Sequence, residues 1–113
     1  MTAWVPVCRV DDLVPERGAA ALVDGVQVAL FRLADGEVVA VQHRDPATGA
    51  NVMARGIVGT RGAVPTVASP LHKQVYDLRT GQCLDDPSLA LATFGVRVVG
   101  DEVLVAASAT MGT

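Results

Sequence analysis

The chain has 113 residues, with 9 Lys and Arg against 12 Asp and Glu, for a formal net charge of -3. That length suits one domain able to bury its own core, and the basic residues are too few and too scattered for a nucleic-acid footprint. No apolar run approaches the roughly 18 residues of a membrane helix, and the first residues lack the basic start and apolar stretch of an export signal, so a cytoplasmic protein outside the membrane is expected.

In chain order the elements read as short strands broken by tight turns. Residues 4–9 form a β-rich opening, Asp11-Asp12-Leu13 predicts a turn, and Pro15 to Gly18 a loop. Residues 19–23 and 26–33 flank Asp24-Gly25, and a two-residue Asp-Gly between apolar runs signals a hairpin because both positions favour positive φ. Asp35-Gly36 repeats the device before residues 37–41, so three strands make a meander. Along the middle strand Val26, Val28 and Leu30 share one face and Gln27, Ala29 and Phe31 the other, which predicts heavy burial on one side and partial burial on the other.

After Gln42 the pattern breaks as far as Thr66, a length more often seen in functional loops than in plain connections. Only residues 51–55 suggest a single helical turn there. Residues 66–69 and 73–77 read as a second small hairpin, and residues 96–99 and 102–106, joined by Gly100-Asp101, close the sheet. Residues 107–113 read as a flexible tail.

Most chemistry-bearing residues have a bland reading. Cys8 and Cys83 are expected as small apolar side chains in the core; a Cys8–Cys83 disulfide is open in principle, because spacing cannot show proximity. His43 reads as a solvated residue at a strand end. Gly56, Gly59 and Gly62 with Arg55 and Arg61 hint at a phosphate cradle, but no Walker lysine or following helix supports it, so they read as loop geometry. Asp85-Asp86 before Pro87 reads as a solvated turn. Ser69 has no nucleophile elbow, and His72 in the same loop has no evident orienting acid, which argues against a hydrolase.

One stretch is more specific. Ser69-Pro70-Leu71-His72, then Tyr76-Asp77 and Thr80-Gly81, resembles the second ligand loop of a Rieske iron-sulfur site with serine in place of its cysteine. In such a site one iron is held by two thiolates and the other by two neutral imidazoles, so each loop supplies one Cys and one His. The first loop should follow Val38-Val39-Ala40-Val41, and the best register sets Asp45 at the Cys position and Ala47 at the His position. The relic ligand positions are therefore Asp45, Ala47, Ser69 and His72. Serine and aspartate offer hard oxygens, alanine offers nothing, and an iron-sulfur cluster requires soft thiolates, so no cluster is expected.

The segments Asp45-Pro46, Gly49-Ala50-Asn51-Val52, Arg55-Gly56-Ile57-Val58-Gly59, Val67-Ala68-Ser69-Pro70-Leu71, Lys73-Gln74, Leu78-Arg79-Thr80-Gly81-Gln82-Cys83-Leu84 and Asp86-Pro87 together resemble the small subunit of assimilatory NAD(P)H-dependent nitrite reductase. The likeness runs from Trp4 to about Ala106. It implies an all-β, Rieske-like [2Fe-2S] domain fold: an antiparallel β-sandwich or barrel over residues 1–106 with a small relic ligand-loop subdomain at about residues 43–83 and the cluster absent.

It also implies an accessory subunit of an oxidoreductase in nitrate assimilation, reducing nitrite to ammonium, with no complete catalytic site and no cofactor or metal of its own. FAD, siroheme and an iron-sulfur cluster are expected in the large subunit, which is the expected partner. By analogy with clustered Rieske domains, Asp45, Pro46, Arg55, Ser69, Leu71 and His72 are the expected contact residues. The rival readings are a Rieske-type ferredoxin electron carrier and a cofactor-free regulatory or binding module.

Overall fold

The computed structural model describes residues 3–71 and 73–111. Among the described residues nine strands, β1 Trp4–Arg9, β2 Gly18–Val23, β3 Val26–Arg32, β4 Val38–Gln42, β5 Ile57–Arg61, β6 Val64–Ala68, β7 Val75–Asp77, β8 Ala92–Val99 and β9 Glu102–Met111, are accompanied by two short 3-10 turns, Val10–Asp12 and Met53–Arg55. They form a six-stranded antiparallel sheet in the order β1-β9-β8-β4-β3-β2 and a three-stranded sheet in the order β5-β6-β7. The large sheet curls until β1 and β2, its two ends, touch, giving a nearly closed barrel. The fold is thus all-β and barrel-like, with the small sheet inserted between β4 and β8.

The β2-β3-β4 meander forms as its turn chemistry dictates. Asp24 and Gly25 both have positive φ (49° and 81°), the mirror-image turn whose twist matches the flanking strands. The burial prediction for β3 is too modest. Val28 and Leu30 are buried in one core cluster with Leu13, Phe94, Val103 and Val105, while Ala29 and Phe31 are buried on the other face with Met53, Val67, Tyr76 and Leu78. The small sheet and its loops cover the face expected to be partly open. β3 is therefore the wall shared by two cores.

Two other expectations are corrected. Residues 107–111 belong to β9, with Phe94 opposite Ala109 and Ala92 opposite Met111, so the flexible tail cannot begin at Ala107. The ladder extends because β8 begins at Ala92, earlier than its β-branched residues suggested; residues 112–113 lie outside the described residues. Residues 57–61, assigned to the irregular stretch, form β5. Gly59 and Gly62 therefore belong to the β5–β6 hairpin, where Gly62 supplies the turn with φ 63°, and Gly56 ends the Met53–Arg55 turn, so the three do not form a phosphate cradle.

Candidate functional site

The two loops resembling ligand loops lie side by side beyond β4 and β6. The first, residues 43–56, is held by its own backbone. The Asp45 N–H donates to the Ala50 carbonyl, the Gly49 N–H donates back to the Asp45 carbonyl, each at 2.7 Å, and Asp45 Oδ1 accepts the Ala47 N–H at 2.8 Å. Gly49 sits at φ 80°, where a left-handed turn favours glycine. Gln42 ties the loop to the barrel: its amide donates to the Arg44 carbonyl and its carbonyl oxygen accepts the Ala92 N–H.

His43 is buried, with 8% of its surface exposed, and is not the solvated residue expected. Nδ1 accepts the Ala54 N–H at 3.1 Å, and its carbonyl accepts the N–H groups of Val52 and Met53. This ring must be neutral to accept, and burial, helped by the Arg55 guanidinium, lowers its pKa. The loop folds back over β4 through this one residue. Its periodicity was the available signal: Val38, Ala40 and Val41 are buried along β4, and His43 continues their strand.

The second loop is a tight turn from Ser69 to Gln74. The Ser69 N–H donates to the Gln74 carbonyl, the Lys73 N–H donates to the Ser69 carbonyl, and Ser69 Oγ accepts the Leu71 N–H. Beyond it Asp77 Oδ1 accepts from Arg79 and Thr80, and Gly81 (φ 81°) passes so close to the Leu91 carbonyl that no side chain fits. The Thr80-Gly81 turn is therefore formed as the sequence pattern requires.

The loops meet at Asp45 and Ser69, the two positions that the resemblance aligns with cysteines. Ser69 Oγ donates to Asp45 Oδ2 at 2.5 Å, with Asp45 0% and Ser69 1% exposed. A hydrogen bond to a carboxylate in a buried setting is among the stronger kinds. Tyr76 is wholly buried with the core cluster behind them; burial, then the Asp45 carboxylate, pushes its phenol far above the ordinary range, so it stays protonated. Its hydroxyl has no hydrogen-bond partner among the described residues.

This geometry does not fit a [2Fe-2S] cluster. The Asp45 carboxylate and the Ser69 hydroxyl spend their oxygens on each other and on loop N–H groups, and Ala47 has no donor atom. Among the described residues no group of three or more His, Cys, Asp or Glu could hold a metal ion. Cys83 is buried in the core and Cys8 is half-buried on β1; neither is in a disulfide. Burial, with Asp12 nearby, pushes the Cys8 thiol up, the opposite of a reactive thiolate. Asp85 and Asp86 are held below the usual carboxylate range, by the Val75 N–H and by the Ser88 hydroxyl respectively, which fits a solvated turn.

Of the expected contact residues, Arg55 and Leu71 are exposed and Pro46 is half-buried. Asp45 and Ser69 are enclosed, so the expectation that their side chains form contact surface is corrected: they shape the tip from beneath. His72 lies outside the described residues.

Residues 3–106 match the Rieske-like [2Fe-2S] domain family. The chain is also similar to the NADH nitrite reductase small subunit of Salmonella typhimurium, 36% identical over 99 residues that cover 87% of this chain and 92% of that one. The chain belongs to the Rieske-like small-subunit family of nitrite reductase. Its fold is close to a solved structure described as an NADH-dependent nitrite reductase small subunit from Mycobacterium tuberculosis, with a TM-score of 0.91 and 47% identity, covering 94% of this chain and 96% of that one. A further relative is a nitrite reductase [NAD(P)H] large subunit from Klebsiella oxytoca, 36% identical over 102 residues that make up 90% of this chain and 11% of that protein. In that relative the matching segment is a small part of a longer chain.

Proposed function

We propose that this chain is the small subunit of an NAD(P)H-dependent nitrite reductase, cofactor-free, acting in the cytoplasm in nitrate assimilation by supporting a redox-active large subunit. The observation that carries the reading is the Asp45–Ser69 hydrogen bond: it preserves the paired-loop shape of a Rieske tip without any sulfur to bind iron. Such a domain can recognise and position a partner but cannot carry an electron on a cluster of its own. In this reading FAD, siroheme and an iron-sulfur cluster belong to the large subunit, which takes hydride from NAD(P)H and reduces nitrite to ammonium. The relic tip, with Pro46, Arg55 and Leu71 outward and Asp45 and Ser69 bracing it, is the contact surface.

Co-purification tests this reading. Tagged chain from nitrate-grown cells is expected to bring down a siroheme-containing large chain. Recovery of the folded chain without that partner contradicts the proposal and favours a free-standing binding module.

A further inference from the structure

The edge of the small sheet carries an inference that deepens this reading and rests on it. β5 pairs with β6 on one side only, in the register Ile57 opposite Ala68, Gly59 opposite Thr66, Thr60 opposite Pro65 and Arg61 opposite Val64. The direction of each backbone group follows from one residue. Pro65 has no N–H, and its carbonyl accepts from Leu78 on the β7 side, so Pro65 faces β7 and its partner Thr60 faces away from β6. By alternation Val58 faces the same way. The N–H and C=O groups of Val58 and Thr60 therefore point off the open edge, and among the described residues they make no backbone bond beyond the β5–β6 ladder.

That edge opens into a groove. Two adjoining hollows share Glu16 and Val58: one is walled by Arg17, Gly18 and Arg55, the other by Leu33, Asp35 and Arg79. The ends differ in charge. Arg79 pairs with Glu37 at 2.6 Å, while Arg17 and Arg55, two arginines to the single Glu16 in their hollow, form no ion pair among the described residues. Ile57, 75% exposed, stands beside those two arginines. An open strand edge is a template for a further strand, and natural folds usually blunt it. Among the described residues β5 carries neither a proline nor a bulge. The basic end is continuous with the relic tip through Arg55.

We propose that β5 receives an extended segment of the large subunit, about five residues long, which adds a fourth strand to the small sheet through the Val58 and Thr60 backbone and places a carboxylate against Arg17 and Arg55. The direct test is amide hydrogen exchange in this chain, alone and in complex with the large chain. Exchange at Val58 and Thr60 is expected to slow on complex formation, and Thr60→Pro, which deletes one edge-facing N–H and leaves the β5–β6 ladder intact, to weaken the complex roughly tenfold. Thr60→Val is expected to bind as the parent. Arg17→Glu with Arg55→Glu provides a second variant set that does not touch the strand and is likewise expected to weaken binding.

A complex that forms with Val58 and Thr60 exchanging as in the free chain overturns the strand-addition proposal and leaves the subunit reading standing. Absence of any complex overturns both. Slow exchange at these amides in the chain alone, rising with its concentration, assigns the edge to a second copy and overturns the large subunit as occupant.

Discussion

The barrel and the loop tip are built by opposite means. The barrel is closed chiefly by apolar packing: Val28, Leu30, Phe94, Val103 and Val105 are enclosed on one side of β3. The tip is aligned by a few directed polar contacts, Ser69 to Asp45 between loops and His43 to Ala54 within one. A related fold can do this job with metal–thiolate bonds. The difference teaches that two loops can be held together by a single buried polar contact, Ser69 to Asp45, where no extensive apolar core is available to align them.

Substitutions in the two regions separate them. Leu30→Ala in the barrel should lower the unfolding free energy by about 2–5 kcal/mol, because the enclosed site cannot collapse around the lost methyl groups; denaturant titration should show one cooperative shift with all probes. Asp45→Ala is expected to cost less, about 1–3 kcal/mol, by leaving the buried Ser69 hydroxyl and the Ala47 N–H without their acceptor. Its signature is local: amide exchange should quicken in both loops before it changes in β3 or β8. A double-mutant cycle with Ser69→Ala should give a positive coupling; additive losses would mean that the two side chains do not support each other.

Acid should open the tip before the barrel. His43 has a lowered pKa in the folded chain, so the unfolded chain binds the extra proton and stability falls as pH drops below the unfolded value of about 6.5. Protonation also removes the Nδ1 lone pair that accepts from Ala54. Thermal unfolding followed from pH 8 to 5 should show this loss in the parent and a flatter profile in His43→Gln; equal slopes would contradict the role given to the ring. The smallest effect is expected at Arg9 and Asp101, an exposed ion pair, where Arg9→Ala should change stability by less than about 1 kcal/mol.

Much of the fold was legible because its turns are chemically explicit. Asp24-Gly25 and Asp35-Gly36 mark the meander, and the Tyr76-Asp77 and Thr80-Gly81 pattern places the second loop. β5 was missed because Gly56, Gly59 and Gly62 dilute its alternation, and the end of β9 because Ala106-Ala107-Ser108-Ala109 carries little periodicity; its pairing is decided by β8. At the site, the sequence singles out Asp45 and Ser69, and the structure brings both into the buried base of the paired loops. That they bond to each other was not legible, because the two residues are brought together only by the β4 and β6 ends. The burial of His43 follows that of Val41 two positions earlier, but its bond to Ala54 depends on a loop folding back, which local pattern cannot encode.

The central claim is that this subunit works through shape and contact alone. The measurement that tests it most directly is nitrite-dependent NAD(P)H oxidation by the large chain, with and without added small chain whose iron content has been assayed. The account predicts full support of turnover by iron-free, colourless small chain. Support that appears only when the small chain carries stoichiometric iron, and rises in proportion to it, would contradict the account.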